Sequence, residues 1–293
     1  MIESERLAMN ELPTSRPIVV GIDGSKAAIH AALWAVDEAV SRDGPLRLLY
    51  AVEQRDAQDA EPNAMGRKLA AAETAIRRAF TAIEATGHAV KIETEIAQGP
   101  PIGSLIRASA SAAMVCVGAV GLRHFQAGRM GSVAAALAIS AQCPVAIIRG
   151  HPDQPGQLPH EIVVEVDSSP ENGVLLGVAM DEAQLRDSTI QAVICGQTMS
   201  GDDQNLRDGD RRARADLDRR LARWRRRYPN LGVESVVMHG GLLDYLARNR
   251  RTMGLVIVSA RNHQHLNELV GPIGSPILQD AECSLLIVNH QHL

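Results

Sequence analysis

A glycine-rich segment in the first half of the chain is the part of the sequence best suited to bind an anion. Residues 114–117 (MVCV) form an apolar run typical of a buried parallel strand, and glycines follow at positions 118, 121, 128 and 131. Ser132 precedes an Ala-rich stretch that predicts a helix, so Gly131 and Ser132 stand at its N-terminus. Free backbone N–H groups and the positive end of the helix dipole favour a phosphate there.

The spacing of this segment matches neither of the two common nucleotide fingerprints. It is not G-x-G-x-x-G, and no G-K-[ST] closes it as in a Walker loop. It runs from Gly118 to Gly121, and after nine further residues reaches Gly131-Ser132. Spacing alone allows a phosphate-binding loop or ordinary loop glycines without a ligand, and the strand–loop–helix context favours the first.

The surrounding elements alternate between strand and helix patterns. Such an alternation predicts an α/β fold with a parallel, doubly wound sheet. The predicted strands cover residues 18–23, 46–52, 90–97, 114–118 and 144–148, and the predicted helices cover 27–41, 67–86, 101–113 and the residues after 132.

The second half of the chain repeats the first. IVVEVDSS at 162–169 echoes IVVGIDGS at 18–25, and Cys283 stands 140 positions after Cys143. A repeat of this length indicates two copies of one domain, joined here by a Pro- and Gly-rich stretch. The expected organisation is a tail at 1–16, a first domain at 17–149, a linker at 150–160 and a second domain at 161–293.

Composition narrows the functional classes. Of the 293 residues, 45% are apolar and 2% aromatic, and the net charge of −4 does not favour nucleic acid or a membrane as a partner. No run approaches a membrane span and the N-terminus lacks a signal-peptide core, so we expect a cytoplasmic protein. The four cysteines are widely separated, which favours buried thiols over disulfides or zinc ligands.

The predicted strand ends place Asp23 beside the glycine-rich segment. Ligands of open parallel sheets bind at the carboxyl ends of the strands, where the winding direction reverses. Asp23 ends the first strand and Gly118 ends the fourth, and these two strands would be neighbours. Asp23 could then meet a base or ribose while residues 118–132 hold phosphates. The alternative is a turn aspartate without a ligand.

The motifs IVVGIDGS, VCVGAVG with Gly131-Ser132-Val133 downstream, and QCPVAII together resemble the universal stress protein family. The resemblance covers residues 18–149 and again 161–289, in the tandem form found in mycobacteria and related actinobacteria. It implies two tandem Rossmann-like (adenine nucleotide alpha hydrolase-like) domains, each with a five-stranded parallel sheet flanked by helices. The first copy satisfies the motif G-x-x-G-x9-G-[ST] of the ATP-binding subgroup.

The resemblance assigns ATP-binding roles to residues of the first copy. Gly21 and Asp23 would belong to the adenosine pocket, and the backbone of Val52 would contact the adenine edge. Ribose and phosphates would lie on the glycine-rich segment. The residues assigned to them are Gly118, Gly121, Gly131, Ser132 and Val133.

The ligand expected from this resemblance is ATP, with or without Mg²⁺. Arg129 is a candidate from its charge alone, since it could pair with a phosphate or remain solvated. No protein metal site is expected, because neither the histidines at 263 and 265 nor those at 290 and 292 have a Cys or acidic residue at ligand spacing.

The second copy departs from the pattern. Its fourth strand ends in Ser259 instead of glycine, and Glu165 replaces Gly21. Aligning the copies on Cys283 places Gly271-Pro272 over Gly131-Ser132, whereas a shift of three residues places Gly274-Ser275 there. We therefore expect ATP in the first site and a degenerate second site, although Asp167 retains the acidic contact.

The resemblance implies a regulator in which ATP occupancy changes a surface or an assembly state during stress or growth control. No catalytic constellation is recognisable, so a dedicated enzyme is not expected; a slow ATPase and a non-binding tandem scaffold are the alternatives. Besides ATP, the expected partners are a second copy, as a dimer, or the two domains paired through their fifth strands. The Arg-rich helix predicted at 210–228 favours a solvated or partner-facing surface over nucleic-acid binding.

Overall fold

A computed structural model describes residues 15–53, 63–122, 129–149, 161–167, 172–196, 203–250 and 252–289, the side chains of 203–206 excepted. The predicted linker and most of the predicted tail lie outside these ranges. Within them, the first half contains β1 (Ile18–Gly21), α1 (Lys26–Ser41), β2 (Leu46–Val52), α2 (Ala64–Glu84), β3 (Ile92–Gln98), α3 (Pro101–Ser109), β4 (Met114–Gly118), α4 (Ser132–Ser140) and β5 (Val145–Ile148). The second half contains β6 (Glu161–Glu165), α5 (Asn172–Leu185), β7 (Ile190–Gly196), α6 (Asp203–Arg227), β8 (Val233–His239), α7 (Leu242–Asn249), β9 (Met253–Ser259), α8 (His263–Val270), α9 (Gly274–Asp280) and β10 (Ser284–Val288).

All ten described strands form one sheet, in the order β3-β2-β1-β4-β5-β10-β9-β6-β7-β8. The pairs within each half are parallel, and β5 pairs antiparallel with β10. The second half therefore has the strand order of the first, counted from the opposite edge of the sheet. The predicted α/β fold is confirmed, and the two fifth strands meet within a single chain.

The central strands of the sheet are buried on both faces. Along β1, Ile18 and Val20 pack on the face that α1 covers, whereas Val19 packs on the opposite face, which α3 and α4 cover. Strands with two covered faces are apolar throughout, which explains the continuous apolar runs of the sequence. Alanines of α1, including Ala31 and Ala35, are fully buried and let the helix lie close to the sheet.

Two helices differ from the sequence-based expectation. The structure begins α6 at Asp203, seven residues before the predicted start, in a polar stretch that has no apolar period to reveal a helix. It also contains α8, which occupies the place of the glycine-rich segment in the second half. Tertiary packing of Leu266 and Leu269 stabilises α8, and single-sequence patterns report such packing poorly.

A buried ion-pair cluster joins the two halves where α1 and α5 end. Glu38 and Glu182 are only 1% and 2% exposed, and Arg186 lies between them. The Nη2 of Arg186 donates to Glu38 Oε1 at 2.7 Å, its Nε donates to Glu182 Oε2 at 3.0 Å, and its guanidinium lies 3.9 Å from the ring centroid of Trp34. The pKa of Glu182 is raised to about 8, mainly because the carboxyl group is buried and secondly because the charge of Glu38 is close.

Because the pKa of Glu182 is raised in the folded protein, we expect the protein to lose stability as pH rises. The ordinary pKa of a glutamate is 4.5, so between pH 4.5 and about 8 the folded protein keeps a proton that the unfolded chain has released. The free energy of unfolding therefore falls with increasing pH across this window. Urea unfolding should show a loss of more than about 1.4 kcal/mol, the equivalent of one pKa unit, between about pH 5 and about pH 8.5.

Glu182→Gln should remove most of this slope, because a neutral amide replaces the group that titrates. Glu84→Gln, which changes an exposed glutamate of α2, is the matched control and should keep the slope. Equal slopes in the two variants would contradict the assignment of the proton to this cluster.

Candidate functional site

The carboxyl ends of β1 and β4 bound a cavity of about 480 Å³. In the sheet order β1 lies between β2 and β4, so the chain winds toward one edge through β2 and β3 and toward the centre through β4 and β5. The winding direction reverses between β1 and β4, and open α/β sheets place ligands at that point. The cavity is therefore located where the sequence predicts a ligand.

Most of the predicted site residues of the first half are brought together in this cavity. Seven of them line it, namely Gly21, Asp23, Gly118, Gly121, Gly131, Ser132 and Val133.

Two predicted residues of the first half are not among the lining residues. Val52 is buried, and its carbonyl oxygen accepts a hydrogen bond from Gly99 N at 2.9 Å. The β2 side of the cavity is instead lined by Tyr50, Ala51 and Glu53. Arg129 is exposed.

Sequence reasoning missed a further part of the wall, contributed by the N-cap of α1, by β2 and the residue after it, and by the start of α3. These elements end or begin at the same edge of the sheet, so topology was the available signal. The missed lining residues include Ser25, Leu49, Tyr50, Ala51, Glu53, Pro100, Pro101, Ile102 and Leu105.

Asp23 links the two chain segments that form the cavity. Its Oδ1 accepts from Ser25 N at 2.9 Å, and its Oδ2 accepts from Leu122 N at 3.0 Å. The first bond orders the turn into α1, where the Ser25 hydroxyl caps the helix by accepting from Ala28 N. The second bond holds the segment after β4 beside the end of β1.

The glycines of this segment are required for close approach rather than for unusual dihedral angles. None of Gly118, Gly121 and Gly131 has a positive φ. A Cβ on Gly118 would lie 2.7 Å from the backbone of Ala27, and one on Gly121 would lie 2.6 Å from Asp23 Oδ2. A side chain at Gly118 would therefore push β4 away from the start of α1, and a side chain at Gly121 would displace the Asp23 carboxylate.

The first turn of α4 presents backbone donors to the cavity. Gly131 is the N-cap residue and supplies no side-chain acceptor, so the N–H groups of Ser132 and Val133 are not capped by a side chain. Gly131 N donates to Ala119 O at 2.8 Å, which holds the start of α4 beside the end of β4. Uncapped N–H groups beside a serine hydroxyl form a suitable environment for an anion.

The charged lining residues of this cavity are acidic. Within the described part of the chain, Asp23 and Glu53 line it, and no Lys, Arg or His does. Donors to an anion would thus be backbone N–H groups and the hydroxyls of Ser25 and Ser132. The described residues also contain no group of three or more His, Cys, Asp or Glu that could hold a metal ion.

The corresponding place in the second half is filled by protein side chains. Glu165 ends β6 as Gly21 ends β1, and each pairs with the fourth residue of its neighbouring strand. The Glu165 side chain is nearly buried, and its Oε1 lies 2.7 Å from Nδ1 of His265 on α8. Burial raises the pKa of Glu165, although His265 opposes this shift.

The start of α9 decides between the two alignments of the second copy. The helix begins at Gly274, so Pro272 lies between α8 and α9 and does not replace Ser132 at a helix start. Of the two alignments, the helix start favours Gly274-Ser275, because α8 takes up the additional length of the loop. Asp167 Oδ1 accepts from Asn172 Nδ2 at 2.9 Å and so contacts the start of its own helix.

Comparison with known proteins agrees with this architecture. The model of the Universal stress protein family matches residues 14–149. Universal stress protein Rv2028c of Mycobacterium tuberculosis is 55% identical over 285 residues, covering 97% of this chain and all of that protein. Rv2624c of the same organism is 40% identical over 279 residues, covering 94% of this chain and 97% of that protein.

The fold also matches solved structures. A universal stress protein from Archaeoglobus fulgidus superimposes with a TM-score of 0.69 at 15% identity, covering 94% of this chain and 97% of that one. The chain belongs to the universal stress protein family. None of the described helices is both long enough and apolar enough to cross a membrane.

The two hydrogen bonds that Asp23 accepts, from Ser25 N and Leu122 N, can be tested by hydrogen exchange. Asp23→Ala should accelerate exchange of the Leu122 amide by about five- to tenfold, because one hydrogen bond contributes about 1 kcal/mol. Gly121→Ala should have the same effect, since its Cβ would displace the Asp23 carboxylate. Gly131→Ala is the control, because its Cβ would make an ordinary 3.4 Å contact with Ala119 O. Unchanged Leu122 exchange in the first two variants would contradict the hydrogen bond from Leu122 N to Asp23.

Proposed function

We propose that this chain is an ATP-binding universal stress protein in which nucleotide occupancy of the first half regulates a stress or growth response. The observation that supports this most is the meeting of Asp23, the glycine-rich segment and the uncapped start of α4 around one cavity at the switch point of the sheet. Its volume of about 480 Å³ lies in the range of small-molecule sites.

The cavity wall has two chemically different parts, which suit the two parts of a nucleotide. Leu49, Leu105 and Pro100 provide an apolar surface for a base, near the polar backbone of β2. The start of α4 provides N–H groups and the Ser132 hydroxyl for phosphates. Because the charged lining residues are acidic, a triphosphate would be favoured with a divalent cation, and Mg²⁺ belongs in every binding assay.

We propose that only the first half binds the nucleotide. In the second half, Glu165 brings a carboxylate to the position of Gly21, and His265 covers it. A Cβ on Gly21 would already lie 3.0 Å from Val117 Cγ1 and 3.1 Å from Leu105 Cδ1, so a glutamate there would project into or displace the wall. The two halves thus provide a natural comparison of an open and a filled site.

Isothermal calorimetry with ATP and Mg²⁺ tests this proposal. The wild type should bind about one ATP per chain. Gly21→Glu should weaken binding by more than about tenfold, equivalent to about 1.4 kcal/mol, because it installs the residue of the second half in the first. Asp167→Ala, in the second half, should leave affinity and stoichiometry unchanged.

Ser132→Ala guards against misfolding of the glycine variant, since it removes only one hydroxyl donor and should weaken binding by about threefold to tenfold. Two ATP per chain, or equal losses in Gly21→Glu and Asp167→Ala, would refute the asymmetry. Absence of binding, together with no adenine nucleotide released by acid from protein purified from its own cells, would favour the scaffold.

The presence of Glu53 in the cavity supports a second candidate, a slow ATPase. Glu53 lines the β2 side of the cavity, and a carboxylate inside a nucleotide cavity can orient or deprotonate a water molecule. Phosphate release from ATP that persists through purification, and that disappears in Glu53→Gln while ATP still binds, would favour the slow ATPase over the regulator.

A further inference from the structure

The outer face of α6 carries a regular row of residues that the nucleotide site does not use. Leu217 and Leu221 are fully buried on its inner face. On the opposite face, Arg212, Ala215, Arg219, Ala222 and Arg226 follow one another at alternating spacings of three and four residues. We call these five residues the arginine row.

The arginine row is a continuous exposed strip. At about 100° per residue its members fall within roughly 80° of one another, centred opposite Leu217 and Leu221, and the strip is about 21 Å long. All five residues are exposed, and the Arg219 side chain is 78% exposed.

The arginines of this row are only partly neutralised within the chain. Arg219 Nη2 lies 3.0 Å from Asp216 Oδ1, and the same aspartate also forms an ion pair with Arg220. Arg212 and Arg226 have no ion-pair partner among the described residues. By contrast, Arg225 at the side of the helix is paired with Asp218 and donates to Val233 O, so that it helps hold α6 against β8.

We infer that the arginine row is a docking surface for an acidic helix of a partner protein. Residues at alternating spacings of three and four lie along one face of a helix, so a second helix packed lengthwise on α6 would contact all five of them. The two alanines leave space for apolar side chains of a partner, and the three arginines require carboxylates opposite them. The occupant is therefore an amphipathic helix that presents Glu or Asp every seven residues beside apolar residues.

Charge distribution disfavours an extended nucleic acid at this surface. The α6 helix carries ten arginines and five aspartates, whereas the rest of the chain carries 20 Lys and Arg against 29 Asp and Glu. A long polyanion would extend over the acidic remainder, while a short acidic helix contacts α6 alone. Trp224, the aromatic residue of α6, packs beside Gly177 and so does not present its ring for stacking on bases, and the hydroxyl of Tyr228, just after the helix, donates to Asp181.

Two other occupants conflict with the composition of the arginine row. Two copies of α6 cannot pair along it, because arginines would face arginines. A membrane is disfavoured, since the row has no apolar side chain larger than alanine to enter the lipid boundary. An acidic helical segment is therefore the partner whose charge complements the arginine row.

Fluorescence anisotropy with a designed probe tests this inference. The probe is a labelled peptide of about three heptads with Glu and Leu at seam positions, and a scrambled peptide of the same composition and a duplex DNA of similar length are its comparisons. At about 0.15 M salt, where exposed charges are screened beyond about 8 Å, the full chain should bind the patterned peptide more tightly than either comparison.

Variants then separate the arginine row from general basic charge. Arg212→Gln, Arg219→Gln and Arg226→Gln together should weaken peptide binding by about tenfold, since exposed ion pairs each contribute up to about 1 kcal/mol. Arg77→Gln with Arg78→Gln, on the exposed part of α2, is the matched control and should change nothing.

Ala215→Gln together with Ala222→Gln tests helix packing specifically, because these changes keep the charge of the row and block close approach of a second helix. This variant should also weaken binding of the patterned peptide. Equal binding of the scrambled peptide or of DNA, or no detectable binding of the patterned peptide, would overturn the inference. Helix content of each variant, measured by circular dichroism, should match that of the wild type.

Discussion

The antiparallel hydrogen bonds between β5 and β10 determine how the rest of the molecule is arranged. Every other described strand pair is parallel, so this one antiparallel pair makes the strands of the two halves run in opposite directions within a single sheet. The carboxyl ends of the strands in one half therefore lie beside the amino ends of the strands in the other. The same junction brings the ends of α1 and α5 together around Arg186, whose two carboxylate partners are almost fully buried. Burying these groups is tolerated because Arg186 donates to both carboxyl groups and Glu182 keeps its proton up to about pH 8.

The carboxyl ends of the strands in the two halves then differ through a small number of residues. In the first half, small residues at the ends of β1 and β4 leave a cavity that Asp23 and the start of α4 complete. In the second half, Glu165 and the additional helix α8 occupy the corresponding place. The strand order is unchanged between the halves, so a shared fold does not imply a shared function, and function resides in the local site.

Much of this architecture could be predicted from the sequence, because apolar runs and glycines report directly on buried strands and tight approaches. The bounds of β2 and the proximity of Asp23 to the glycine-rich segment follow from such patterns. The role expected for Val52 was less accessible, since its carbonyl is used by Gly99 and the next residue, Glu53, lines the cavity. The cluster around Arg186 depends on contacts between residues 148 positions apart, which no local pattern reveals.

A crystal structure of the chain grown with ATP and Mg²⁺ tests the central claim most directly, because both edges of the sheet are observed in one molecule. We expect nucleotide density in the first-half cavity, with phosphates at the N-terminus of α4, and an intact Glu165–His265 contact without nucleotide in the second half. Nucleotide at both edges, or at the second alone, would contradict it.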